Sequence, residues 1–219
     1  MSLRVVLFAE GSGELLGGIR FGRPRPGESI LEDEYGAGHI LVQRALGRAR
    51  GLPESAIHFE VPPKYRGREA RGSDLLRRET LRRLTIWPSA SARPQLIVLL
   101  VDRDGQKSRL DILRQHLADH PVPHVIAVAI EEFEAWLLAD PKAVKTVMGA
   151  SLQLPGLPEK LEPRQAKELL MDGCSKRGDR EHARSLRCNL ARTCDLDVVA
   201  GRCSAFDSFL DELKPGHAP

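Results

Sequence analysis

The 219-residue sequence predicts an α/β fold: an open, mostly parallel sheet of about four strands, flanked by helices and continued by a helical C-terminal extension. Two observations predict it. Short apolar or β-branched runs alternate with helix-like segments as far as Glu132, and beyond that point the strand signals cease. The third run is apolar throughout, as suits a strand covered on both faces of a parallel sheet.

The strand-like runs are "RVVLFAE" from Arg4, "AIHFEV" from Ala56, "QLIVLLVD" from Gln95 and "HVIAVAI" from His124. Between them the pattern predicts helices over Gly38 to Arg50, Ser73 to Trp87 and Lys107 to Asp119. Ser73 is the expected N-cap of the second, whose apolar stripe reads Leu76, Thr80, Leu84 and Trp87; Leu110, Leu113 and Leu117 form the stripe of the third. Right-handed crossovers through these helices would lay the strands parallel. After Glu132 the helix-like segments run near Phe133 to Asp140, Pro163 to Met171, Asp179 to Arg192 and Cys203 to Leu213. Of the Pro/Gly-rich stretches, Arg20 to Pro26 and Leu152 to Pro163, only the second resembles a boundary, so residues 1–150 read as the α/β domain and 151–219 as a helical extension packed on the same core.

Composition narrows the function only a little. Thirty-three basic against 30 acidic residues leave a net charge of +3, too slight to imply a polyanionic partner. No apolar stretch approaches the roughly 20 residues of a membrane span, and the N-terminus carries no signal-type pattern, which predicts a cytoplasmic protein with no membrane partner. Cys174, Cys188, Cys194 and Cys203 include no CxxC pair, so free thiols are expected; even with His182 their spacing fits no common zinc pattern. The sequence alone assigns no role to His39 or His182.

Acidic residues close three of the strands: Glu10 after the first, Asp102 and Asp104 after the third, and Glu131, Glu132 and Glu134 after the fourth. In open α/β sheets binding sites collect beyond the carboxyl ends of the strands. Carboxylates gathered there repel one another unless a cation joins them, and oxygen donors favour magnesium or manganese over zinc. Taken singly, each cluster reads better as solvated acids or helix caps, and it is the three on a common edge that favour a metal site. The stretch "LFAEGSGELLGG", residues 8–19, is not a nucleotide loop: its third glycine comes one residue late for GxGxxG, and the first lysine of the chain is Lys64. Its glycines instead allow a sharp turn that aims Glu10 across the strand ends.

With Glu10-Gly11 after the first strand and Asp102-Arg103-Asp104 after the third, the sequence resembles the Toprim domain of topoisomerases, primases and recombination or defence nucleases. "FAEGSGE" is similar to the variant found in OLD-type nucleases and small bacterial Toprim-like proteins, and "EEFEAWLLAD" and "CSAFDSFLDEL" to further segments of the small families. The resemblance implies a Toprim-like fold and a magnesium- or manganese-dependent nuclease or other phosphodiesterase, with a link to phage defence or mobile elements. Glu10 would be metal ligand or general acid/base, Asp102 and Asp104 would hold the ion, and Glu14 and Glu134 would complete a second ion site or orient water. Glu132 is equally able to point inward but lies outside the matching signature. Neither an ATPase domain nor a topoisomerase tyrosine domain fits this length, so a protein partner such as an ATPase is expected beside a DNA or RNA substrate.

The densest basic excess, residues 64–83, has eight Lys/Arg against three Asp/Glu. Arg78 and Arg82 share a helix face there that could follow a phosphate backbone, or simply be solvated. Arg103 and Lys107, with Arg109, flank the Asp-x-Asp loop and either neutralise a transferring phosphate or offset their acidic neighbours. Two other functions fit the same residues. "VLLVDRDG" resembles the nucleophile motif of haloacid-dehalogenase-like phosphatases, with Asp102 attacking phosphate, and a Toprim-like module could equally regulate or bind nucleic acid without catalysis.

Overall fold

The computed structural model describes residues 2–15, 26–66, 70, 72–84, 93–149, 156–172 and 180–216. Its sheet is built from β1 (Leu3–Ala9), β2 (Ile57–Phe59), β3 (Leu96–Asp102) and β4 (His124–Ala129) in the order β2-β1-β3-β4, every pair parallel. The α/β class and parallel sheet expected from the sequence are therefore present.

Strand alternation divides the sheet into two apolar faces. Val5, Leu7 and Ala9 of β1 and Leu96, Val98 and Leu100 of β3 face the larger core, against α2 (Ala37–Arg50). Val6, Phe8, Ile97, Leu99 and Val101 face the other, against α3 (Arg78–Leu84) and α4 (Arg109–Leu117). The chain leaves β1 toward β2 through α2, then returns past β1 to β3 through α3 on the opposite face. The crossovers thus change direction between β1 and β3, which makes the gap beyond Ala9 and Asp102 the topological switch point.

The remaining helices join the larger core. Trp136 of α5 (Glu134–Leu137) lies 5.2 Å, centroid to centroid, from Phe206 and stacks at 13° on Phe209, both on α10 (Ser204–Glu212). Leu170 of α7 (Gln165–Asp172) and Leu190 of α8 (Arg180–Thr193) are fully buried in the same core. Buried there too are the free thiols of Cys188, Cys194 and Cys203; Cys174 lies outside the described residues.

Some elements depart from expectation. The predicted helix over Ser73 to Trp87 is a 3-10 turn over Gly72–Leu76 followed by α3, and Thr85 to Trp87 fall outside the described residues. The turn seats Leu75 in the smaller core, so the buried stripe becomes Leu75, Thr80, Leu81 and Leu84. The helices α6 (Pro141–Met148) and α9 (Leu196–Arg202) were not anticipated. In α6 the Asp140 carboxylate accepts the Lys142 N–H, Pro141 opens the helix and Gly149 closes it at φ 68°. In α9 Asp195 caps through the Asp197 N–H. Among the described residues no helix is long and apolar enough to cross a membrane.

Candidate functional site

At the switch point the turn after β1 meets the end of β3. The Glu10 N–H donates to the Leu100 carbonyl at 3.1 Å, and Glu10 Oε2 accepts the Asp102 N–H at 3.0 Å. The chain then enters the short helix α1 (Ser12–Leu15), which turns Glu14 back over Gly11. A Cβ on Gly11 would stand 2.3 Å from Glu14 Oε2, so the glycine gives room to a carboxylate. Gly38, near the start of α2, has the same kind of use: a Cβ there would meet the Glu14 carbonyl oxygen at 3.0 Å.

The sequence-predicted carboxylates fall into two groups, with Asp102 between them. On one side Arg109, its side chain only 8% exposed, donates from Nη1 to Glu10 Oε2 at 3.3 Å, to Asp104 Oδ2 at 3.2 Å and to the Asp102 carbonyl. Asp104 turns outward at φ 47°, a left-handed conformation that Asp tolerates and Gly105 continues at φ 73°. On the other side Asp102 Oδ1 accepts the Phe133 N–H at 2.8 Å. Lys167 Nζ lies 3.9 Å from Asp102 Oδ2, 3.5 Å from Glu132 Oε1 and 3.8 Å from Glu134 Oε2. The Lys167 N–H also donates to Glu132 Oε2 at 3.1 Å, fixing the start of α7 to the turn after β4. Arg187 donates twice to Glu134 Oε1, at 3.0 and 2.8 Å, which leaves buried Glu134 Oε2 without a hydrogen bond; Glu14 Oε2 is buried in the same state.

Burial and mutual repulsion set the protonation of this group. Burial, then the charge of Glu134, pushes the Asp102 carboxyl up to about 8. Burial raises Glu14, again with Glu134 as the next cause. Glu10 is also raised by burial, with the Asp102 N–H and Arg109 working against the rise. For Lys167 burial opposes the charged ammonium, but Glu134, Asp102, Glu132 and Glu14 together outweigh it and hold its pKa above the ordinary lysine value. The cleft therefore carries more carboxylate than its own cations comfortably neutralise.

The cleft has a volume of about 900 Å³. Glu10, Glu14, Asp102, Asp104 and Glu132 line the strand-end side, and Arg164, Lys167 and Arg187 bring positive charge from α7, α8 and the approach to α7. Its donor set is suited in chemistry to a hard divalent ion: carboxylates, two with buried unpaired oxygens. Glu14, Asp102 and Glu134 are the residues that would hold one, with Glu10 at its margin. Among the described residues, however, no three acidic, histidine or cysteine side chains are already arranged as a metal-binding group. The Lys167 ammonium is the cation that Asp102, Glu132 and Glu134 share.

The predicted basic residues are not at this cleft. Arg78 and Arg82 stand beside His116 and His120, near the amino ends of the strands, because α3 runs from the carboxyl edge of the sheet back to the start of β3. Arg103 is turned onto Glu131 at 2.5 Å, and Lys107 is exposed outside the cleft lining. Of that loop only Arg109 reaches the carboxylates, as a buried strut. Sequence reasoning did not find Lys167, Arg164 or Arg187. In the sequence they are ordinary charges around amphipathic helices, and only the docking of α7 and α8 over the strand ends distinguishes them.

One family model, described as a domain of unknown function (DUF4276), matches residues 49–214. No curated protein and no solved structure matches the chain.

Proposed function

We propose, for a chain that belongs to the DUF4276 family, that the strand-end cleft hydrolyses phosphodiester bonds in nucleic acid with the help of a divalent cation. The observation that carries this reading is the meeting, at the switch point, of carboxylates from three strand ends with a basic wall on α7 and α8 across one open cleft. Such a cleft is charged for a substrate that is itself anionic and arrives with, or at, a cation. The turn after β1, with its carboxylates and no lysine, does not suit direct phosphate binding by backbone amides.

A bound divalent ion would supply Lewis-acid polarisation of the phosphorus centre and a more acidic water. Glu10, half-buried and raised by burial, would take the proton of an attacking water. Lys167 and Arg187, both in the cleft lining, would donate N–H groups to the non-bridging oxygens of a phosphodiester, whose charge rises in the transition state. Arg109 holds Glu10 against the Asp102 backbone and so keeps the strand ends in register. The Asp102 oxygens are engaged by the Phe133 N–H and by Lys167, an arrangement that argues against Asp102 as the nucleophile of a phosphatase.

Labelled single- and double-stranded DNA and RNA, incubated with the protein and magnesium or manganese, test the proposal. Cleavage that stops in EDTA and falls by about 10²-fold or more in Asp102→Asn is the expected result. Absence of cleavage of every polymer, together with no calorimetric heat of manganese binding, would overturn it.

A further inference from the structure

The cations beside the strand-end carboxylates are held in two different ways. Arg187, its side chain 13% exposed, makes two hydrogen bonds to Glu134 Oε1, at 3.0 and 2.8 Å, and Arg109 is a buried strut between Glu10 and Asp104. Directional bonds in closed surroundings fix both. Lys167 is held differently. Its Nζ stands 3.5 Å from Glu132 Oε1, 3.8 Å from Glu134 Oε2 and 3.9 Å from Asp102 Oδ2, whereas a charge-assisted N–H···O bond is about 2.7–2.9 Å long. The ammonium is thus a point charge set among three carboxylates from two strand ends, nearly equidistant from all and closely bonded to none.

Two further observations make that charge displaceable. The Lys167 backbone N–H, not its side chain, fastens α7 to Glu132 Oε2 at 3.1 Å, so the helix keeps its seat when the side chain leaves. The side chain is 44% exposed and lines the open cleft, so its flexible stem can carry the ammonium into that space without burying it. Glu134 is the reverse case. Its side chain is 1% exposed, its Oε2 has no hydrogen bond, and the Lys167 ammonium faces that oxygen. A buried carboxylate oxygen in that state keeps a place for a cation, whichever cation fills it.

We propose that Lys167 is a resident counter-ion: its ammonium neutralises Asp102, Glu132 and Glu134 in the ion-free protein and yields them to a divalent cation. This role rests on the divalent-ion reading of the cleft and adds a control to it. Lys167 must give up the carboxylates before they can hold an ion, so the apparent affinity is reduced by the fraction of molecules in which the ammonium has left. The released ammonium stays tethered at the cleft, free to meet a phosphodiester.

The test uses the full-length protein labelled with carbon-13 at its lysines. Magnesium chloride is titrated against sodium chloride at equal ionic strength, and the ε-methylene signals are followed by NMR. A saturable shift of the Lys167 signal, assigned by its loss in Lys167→Arg, is expected toward the position of the exposed Lys142 and Lys145 signals, which themselves stay in place. In parallel, calorimetry should find manganese bound about tenfold more tightly by Lys167→Met than by wild type, as when the ammonium occupies the carboxylates in about nine molecules of ten. Lys167→Arg, which keeps the charge, should show no such gain. A Lys167 signal unmoved at saturating magnesium, or equal manganese affinity in wild type and Lys167→Met, would overturn the proposal and leave the divalent-ion site standing. Absence of manganese heat from wild type and Lys167→Met alike would overturn both.

Discussion

Asp102 shows how one residue is defined by its surroundings. Its backbone N–H serves Glu10 while its side chain serves Phe133 and Lys167, so it ties two carboxylate groups together. Its pKa rises from 3.8 to about 8, which has a sign for stability. A carboxyl whose folded pKa lies above its unfolded value favours folding at low pH, and that contribution is lost as pH rises through the folded pKa. The metal-free protein is therefore expected to lose thermal stability between about pH 4 and pH 8. Asp102→Asn should flatten that fall and raise Tm at pH 8, at about 2–4 °C for each kcal/mol recovered. Magnesium should raise Tm of the wild type more than that of the variant; thermal melts in EDTA and in magnesium measure both. Arg109 provides the opposite case. Replacing this buried strut by Gln leaves Glu10 with a weaker partner, and a loss of about 3–5 kcal/mol in urea unfolding is expected.

At the scale of elements, the turn after β1 and the start of α2 act as one piece. Gly38→Ala would press a Cβ against the Glu14 carbonyl, backbone that cannot swing aside, so α1 must move and stability should fall by about 1–3 kcal/mol. Gly11→Ala meets only the end of the Glu14 side chain. It should unfold within about 0.5 kcal/mol of wild type while displacing the Glu14 carboxylate, so that divalent-ion binding weakens with little change in stability. Denaturation and calorimetry on the two variants separate a structural glycine from one that makes room for a ligand group.

Across the whole molecule, the C-terminal helices complete the sheet's larger face. Trp136, Phe206 and Phe209 form an aromatic cluster fully buried among α5, α10 and their neighbours, and Leu170 and Leu190 continue it. A fragment ending at Gly149 would strip α10 from β4 and α8 from α2 on that side. It is expected to show helical far-UV signal without cooperative melting, and Phe206→Ala in the full chain should cost about 3–5 kcal/mol by denaturant unfolding. The same helices bring Lys167 and Arg187 to the cleft, so loss of that packing would also remove its basic wall.

Much of this was legible in the order of residues, and the reasons are local. Strand runs such as "QLIVLLVD" and stripes such as Leu113 and Leu117 express periodicity, and the acids that follow Ala9, Val101 and Ile130 stand where a strand's carboxyl end must be. The caps at Asp140, Gly149 and Asp195 were equally local, and the helices they bound could have been read. By itself the sequence determined the α/β class, the four strands and the placement of Glu10 and Asp102 at strand ends. Tertiary structure alone decided the rest. Strand order sets β1 beside β3, which brings Glu10 onto Asp102; the path of α3 carries Arg78 and Arg82 to the far edge. The docking of α7 and α8 places Lys167 and Arg187 against Glu134. Periodicity reports which side of an element is apolar, but the partner of a charge depends on contacts across long chain separations, set by how the apolar faces pack.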